Sequence, residues 1–223
     1  YKKLPYVLTG ICYKLKDYEL GEQVSKYYLD KQYNVLIRTY YKIFVLLNKL
    51  KPSKYKQDKN IICFVADGGF RPWNGETINN EGVGGSETYI IEMARKLAKI
   101  SKQRILVFCN TDKEGVYDGV TYKKLDKYIN YLNKYTIMYS IISRYSEYIP
   151  VSVEAGVENI YLVLHDLLPS GIIIPTVPQV KKIFCMSEWH KQYFLNIFPI
   201  FKERTDVFPN GINIDEFVIK NKI

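Results

Sequence analysis

Two adjacent glycines followed by a hydroxyl and a carboxylate, Gly84-Gly85-Ser86-Glu87, open an amphipathic stretch in this chain. Glycines at a helix start let backbone amides approach a phosphate closely, and the free N–H groups and positive dipole end there attract an anion. The same residues also read as a flexible loop with an ordinary cap, Ser86 closing the first turn and Glu87 complementing the dipole. Spacing alone does not separate the two. The preceding segment, Gly68 to Thr77, carries Arg71, Trp73 and Asn74. The link between the apolar run Ile61–Val65 and the helix is far longer than the usual ~2–6 residues, so it reads as a ligand loop rather than a connection.

Further candidates lie downstream. His165 and Asp166 follow an apolar run; a neutral imidazole donates at one nitrogen and accepts at the other, although a structural histidine and a turn-capping Asp166 fit the same residues. Arg144 offers a planar fork to a phosphate or carboxylate, or simply starts a helix. Ser187-Glu188 opens another helix, with Ser187 as N-cap; Glu188 either binds hydroxyls or only complements the dipole. In that helix Trp189, Tyr193, Phe194 and Ile197 are expected inward and His190 at the surface.

The elements that must position these groups change character along the chain. Residues 4 to about 50 read as helices, with Leu8, Ile11, Cys12, Leu15 and then Leu20, Val24, Tyr27, Tyr28 at spacings of three and four and a polar break at Lys16-Asp17. Val35 to Leu50 is apolar on more than one side and must be buried against something. Residues 51–60, polar and carrying Pro52, read as a linker. Strands and helices then alternate: strands at Ile61–Asp67, Arg104–Asn110, Val120–Leu125, Tyr135–Ser140, Asn159–His165, Lys182–Ser187 and Thr205–Phe208, and helices at 86–101, around 126–134, at 144–156 and at 187–198. Near-continuous apolar strands separated by amphipathic helices imply an α/β fold, a parallel sheet covered on both faces. Ligands bind such sheets beyond the carboxyl ends of the strands, so the 68–85 loop, His165-Asp166 and Ser187-Glu188 should gather on one edge.

The net charge is +9, concentrated at the start: residues 1–60 hold 13 Lys and Arg against 5 Asp and Glu. Such a segment suits an acidic partner or a solvated lysine-rich surface; Lys, Ile, Asn and Tyr recur along the whole chain, so nucleic acid is not expected as a partner. No apolar run approaches the ~20 residues of a membrane span. The four cysteines show no metal-type pairing, and a reduced, cytoplasmic setting is expected.

A dinucleotide fingerprint fails here, because Glu87 stands where a third glycine belongs and the loop after the first strand is too long. The chain instead resembles the family-four glycosyltransferases of the GT-B fold. The resemblance is carried by Phe70-Arg71-Pro72-Trp73-Asn74-Gly75-Glu76-Thr77, Gly82 to Thr88, Glu92 to Ala98, Glu114 to Val120, Ser143 to Glu147, Leu164-His165-Asp166, Ser187 to Lys191 and Pro209 to Asn213. It runs colinearly over roughly 61–217. Gly75 stands where the similar branch favours proline, which is expected to loosen that turn. Tyr6 to Gly21 resembles one tetratricopeptide repeat, with a small residue where the helices cross. Thr9 stands where that repeat favours glycine, and Ser25 and Tyr28 replace its aromatic and alanine. One repeat cannot form a solenoid, so either further repeats precede it or its helices pack on the following domain.

The resemblance implies a Rossmann-like amino-terminal domain at 61–217, a helical segment at 1–50 and a tail at 218–223 leading toward a second domain. It implies retaining transfer of a hexose-type sugar from a nucleotide-diphosphate sugar, with no cofactor beyond that donor and no metal. Gly84, Gly85 and Ser86 would meet the donor diphosphate; Arg71, Trp73, Asn74, Arg144 and Glu188 would line the acceptor side; His165 and Asp166 would orient the reacting groups. The acceptor, whether glycan, lipid, protein or small molecule, is not specified. A Glu-x7-Glu-like pair expected of the second domain has no counterpart, so residues 1–223 are expected to bind weakly and turn over slowly or not at all. The alternative is a non-catalytic glycan- or protein-binding module, with the helical segment recruiting a protein partner.

Overall fold

Along the central strands, successive apolar side chains enter two different cores. In β1 (Gln57–Ala66), Ile61, Cys63 and Val65 face one core while Ile62, Phe64 and Ala66 face the other. β2 (Arg104–Cys109) divides likewise, Leu106 and Phe108 against Ile105, Val107 and Cys109. Both faces of these strands are therefore buried, which is why they read as unbroken apolar runs. The computed structural model that shows this describes residues 4–31, 34–53, 56–167 and 180–211. The expected tail at 218–223 and residues 212–217 lie outside the described residues.

The strands are completed by β3 (Gly115–Tyr117), β4 (Val120–Lys124), β5 (Tyr135–Ser143), β6 (Asn159–Val163), β7 (Val180–Cys185) and β8 (Thr205–Val207). They form one sheet in the order β3-β4-β2-β1-β5-β6-β7-β8, with every pairing parallel except β3 with β4. The fold is α/β and Rossmann-like, as expected from the sequence. Strand order reverses between β1 and β5, and the crevice beyond their carboxyl ends is where such sheets take ligands.

One face is covered by α5 (Gly85–Ile100), which buries Ile90, Ile91 and Ala94. The other carries α6 (Lys127–Lys134), α7 (Tyr148–Glu154) and α8 (Glu188–Ile197), with Tyr128, Ile149 and Phe194 in its core. A short helix, α4 (Thr77–Asn80), interrupts the long loop, and a 3-10 turn, Pro199–Arg204, precedes β8.

The helical segment comprises α1 (Leu4–Lys14), α2 (Tyr18–Lys31) and α3 (Val35–Asn48). Of the two arrangements open for it, packing on the following unit is observed: Ile43 and Leu47 of α3 belong to the same core as β1, β5 and β6. The small residue at the crossing is Gly21, where a Cβ would come within 2.6 Å of the Phe44 ring. α1 and α2 bury Thr9, Cys12, Gly21 and Ser25, while Ile11, Leu15, Leu20 and Tyr27 are exposed.

Several boundaries differ from expectation. β1 starts at Gln57, inside the stretch expected as linker. The helix expected over 144–156 is confined to α7, because Arg144 takes a left-handed backbone (φ 66) that no helix continues through. On α8, Phe194 is buried as expected, but Trp189 and Ile197 are 64% and 44% exposed and His190, expected at the surface, only 4%. Ser187 caps the helix by accepting from the His190 amide at 3.1 Å, and the Met186 amide donates to His190 Nδ1. That fixes His190 and Phe194, four residues apart, on the inner face, and turns Trp189 outward by about 100°. Trp189 stacks on Tyr193 instead. All four cysteines are buried and reduced, and burial pushes the Cys63 thiol up to about 12. Among the described residues no helix is long and apolar enough to cross a membrane.

Candidate functional site

The helix start that opened the sequence reading lies beyond the switch point. Gly84 is the N-cap of α5, extended at φ −67 and ψ 163, and Gly85 is its first helical residue. Of the two readings left open for Ser86, the cap is not observed: Gly84 holds that position, and the Ser86 hydroxyl donates to Glu87 Oε2 at 3.0 Å. The Glu87 carboxylate folds back over the turn, so that a Cβ on Gly84 would lie 2.3 Å from Oε2. Around Gly85 the opposite holds, with no atom within 4 Å of where a Cβ would stand. The turn is bordered on both sides by open space. A cavity of about 420 Å³ is lined by Gly69, Arg71, Trp73, Gly82, Gly84 and Glu87. A second, of about 540 Å³, is lined by Gly85, Tyr89, Met93 and Phe208 among others. Next to the first, at the switch point itself, Asp67, Ser86, Glu87, Ser143 and Arg144 enclose a recess of about 10 Å³, the room of a single water.

The loop leading there is folded on itself. Gly68 and Gly69 take φ of +92 and +111, and a Cβ at Gly68 would lie 2.7 Å from the Tyr145 hydroxyl. Arg71 clamps the loop shut, donating to the carbonyls of Glu81 and Gly82 at 2.7 and 2.8 Å and pairing with the Glu81 carboxylate at 3.1 Å. Asn74 is equally committed: Oδ1 accepts from the Glu76 amide and the Thr77 hydroxyl, and Nδ2 donates to the Lys113 carbonyl. Trp73 is 2% exposed and packs edge-on against Tyr122, so its ring face is part of the core rather than a platform for a ligand. Its Nε1 is buried and has no protein partner. Of the three residues expected on the acceptor side of this loop, Arg71 and Trp73 line the cavity and Asn74 holds the turn.

On the other side of the switch point, Arg144 pairs with Asp166 at 3.0 and 3.4 Å. Asp166 thus holds the guanidinium. His165 packs edge-on against Tyr89, with ring centroids 5.0 Å apart, and its Nε2 is buried without a protein partner. Burial and then the nearby Arg144 charge hold its pKa at about 4, against the opposing fields of Asp166 and Glu87. The imidazole is therefore neutral at physiological pH, able to donate at one nitrogen and accept at the other. Ser86 and Arg144 thus share one recess, Arg144 is paired with Asp166 and both act on His165, while Gly84 lines one cavity with Arg71 and Trp73 and Gly85 lines the other. Glu188 is exposed on α8 and lines none of the three cavities.

Two contributors escaped the sequence reading. Tyr89 faces His165 and Phe208 from the first turns of α5; its position four residues after Gly85 was the available signal. Arg95, further along the same helix, reaches Glu92, Gly75 and Asp118. No family model, curated protein or solved structure matches this chain.

Proposed function

We propose that this chain forms the acceptor-side half of a retaining glycosyltransferase, with the α5 N-terminus receiving the diphosphate of a nucleotide-sugar donor. The observation that carries the reading is the open approach to Gly85 at the β1/β5 switch point. On the Gly85 side a phosphate can approach the helix start without meeting a side chain, and a helix start favours an anion. Amides held in that position stabilise the negative charge that grows on the leaving diphosphate as the glycosidic bond breaks. His165, neutral and with a free Nε2, would orient the transferred sugar or the acceptor hydroxyl, and Arg144, steadied by Asp166, would add positive charge at the mouth. The colinear resemblance over 61–217 supports the same chemistry. The ribose- and base-binding residues of the donor belong, on this reading, to a second domain.

Calorimetric titration of uridine-, guanosine- and adenosine-diphosphate sugars into the protein tests it, with Gly85→Val as control. A Cβ at 85 meets nothing, so the variant should keep its thermal stability while losing nucleotide-sugar binding. Equal binding by the two proteins would remove the diphosphate from this helix.

A further inference from the structure

The helical segment turns toward water a face that its own packing leaves uncovered. α1 meets α3 through Tyr13, whose ring stands edge-on to Tyr40, and α2 meets it through Gly21, which lies against Phe44. At ~100° per residue, Leu4, Val7 and Ile11 fall on the side of α1 roughly opposite Tyr13. Leu15, just past the helix end, keeps the helical bond to the Ile11 carbonyl and continues that line. On α2, Leu20 and Tyr27 share a side about a third of a turn from Gly21. All six side chains are between 46% and 73% exposed. From those fractions they leave on the order of 600 Å² of apolar surface in water, the upper limit of what a monomer usually shows in one patch.

Charge and area select what covers this face. Residues 4–31 hold 4 Lys against 4 Asp and Glu, so the whole net charge of +9 lies elsewhere in the chain. A strongly acidic partner or an anionic membrane gains no attraction from such a surface. A second copy does: identical patches meet across a two-fold axis, and balanced charge lets the lysines of one copy face the carboxylates of the other. The apolar area alone approaches the ~800 Å² that each partner gives to a standard interface. We infer that the α1–α2 face is the contact surface of a homodimer, in which two copies of this chain lay their helix pairs against each other. α3 packs on one face of the sheet and α5 on the other, so a dimer formed here leaves the approach to Gly85 open.

The measurement is sedimentation equilibrium across the micromolar range, on the wild type, Ile11→Glu, Leu20→Glu and Leu15→Ser. Ile200→Glu, at an exposed position in the 3-10 turn before β8, is the control. The wild type should show a reversible monomer–dimer equilibrium. Each Glu variant buries an unpaired carboxylate and should raise the dissociation constant about tenfold or more. Leu15→Ser adds no charge and should raise it about threefold, whereas Ile200→Glu should leave it unchanged. Thermal unfolding at low protein concentration should be alike in all five proteins, because the substituted side chains are exposed. Should a Glu variant unfold, the Leu15→Ser shift decides alone. A wild type that stays monomeric throughout overturns the homodimer, as does a dimer that every hairpin variant leaves intact. A monomer that sediments with phosphatidylglycerol vesicles gives the face to a membrane instead.

Discussion

Arg95 donates to the carbonyl of Gly75 at 2.7 Å, and this one bond joins the helix that opens the site to the loop that walls it. The same guanidinium meets Glu92 at 2.9 Å and Asp118, in the turn between β3 and β4, at 2.8 Å. Its side chain is only 14% exposed. All three acceptors lie in different directions, and only a planar fork reaches them together.

Arg95→Ala should therefore cost about 2–4 kcal/mol in chemical denaturation, because a buried carbonyl and two carboxylates lose their donor at once. Arg95→Lys should recover little of it. Faster hydrogen exchange over 70–82 in either variant would show that the loop, rather than α5, loosens first.

Gly75 yields an expectation opposite to the one drawn from sequence. Glycine in place of proline was expected to loosen the turn. Yet a Cβ at Gly75 would stand 2.8 Å from Tyr117 Cβ and 2.8 Å from the Tyr122 ring. The turn is packed tightly, and glycine is what lets the two tyrosines close over it. Gly75→Pro and Gly75→Ala should both lower stability, by roughly 1–3 kcal/mol for overpacking. A rise in melting temperature for Gly75→Pro would show that the turn opens readily.

The sheet was legible because its strands carry their apolar side chains on both faces, which leaves little room for another reading. β3 was missed although Asp118-Gly119, with φ of 51 and 78, is the two-residue turn that closes hairpins. Three residues are too few for periodicity to register. Trp189 and His190 of α8 exchange their expected places for another reason. Trp189 is the more apolar neighbour, but the Ser187 cap sets the rotation of the helix, and a cap outweighs one side chain's preference. Arg71 and Asn74 illustrate a limit of loops in general. Polar residues there resemble ligand contacts until their partners are in place, and the acceptors they found lie up to 39 residues away in the chain.

The burial of His165 makes a pH dependence that stability measurements can isolate. Its folded-state pKa of about 4 lies below the ordinary 6.5, so between those values the unfolded chain binds the extra proton. Stability attributable to this group is intact above pH 6.5 and declines as the pH falls toward 4. The loss is on the order of 2–3 kcal/mol. Comparing wild type with His165→Asn at pH 7 and pH 4.5 cancels the other titrating groups; the wild type should lose more on acidification. Parallel losses in the two proteins would mean that His165 protonates freely.

Glu147 ties the helical segment to the site. Its carboxylate is buried, and the cation facing it is Lys42 of α3 at 3.6 Å; Asp67 faces it with like charge. Burial raises its pKa, so its favourable contribution is complete below the ordinary carboxylate value and lost as the pH rises through the folded one. At neutral pH the charge is a burden, and Glu147→Gln should leave the protein as stable or more so. Lys42→Met should act in the opposite sense, by about 1 kcal/mol, since it strands the carboxylate. Lys42 also lies over the Tyr145 ring, 5.5 Å from its centroid, and the Tyr145 hydroxyl packs against Gly68, where the site loop begins. Loss of the lysine should therefore speed hydrogen exchange at 68–70, some distance from α3 itself, whereas Glu147→Gln should not. Unchanged exchange at those amides in Lys42→Met would mean that the helical segment braces the sheet without bearing on the loop.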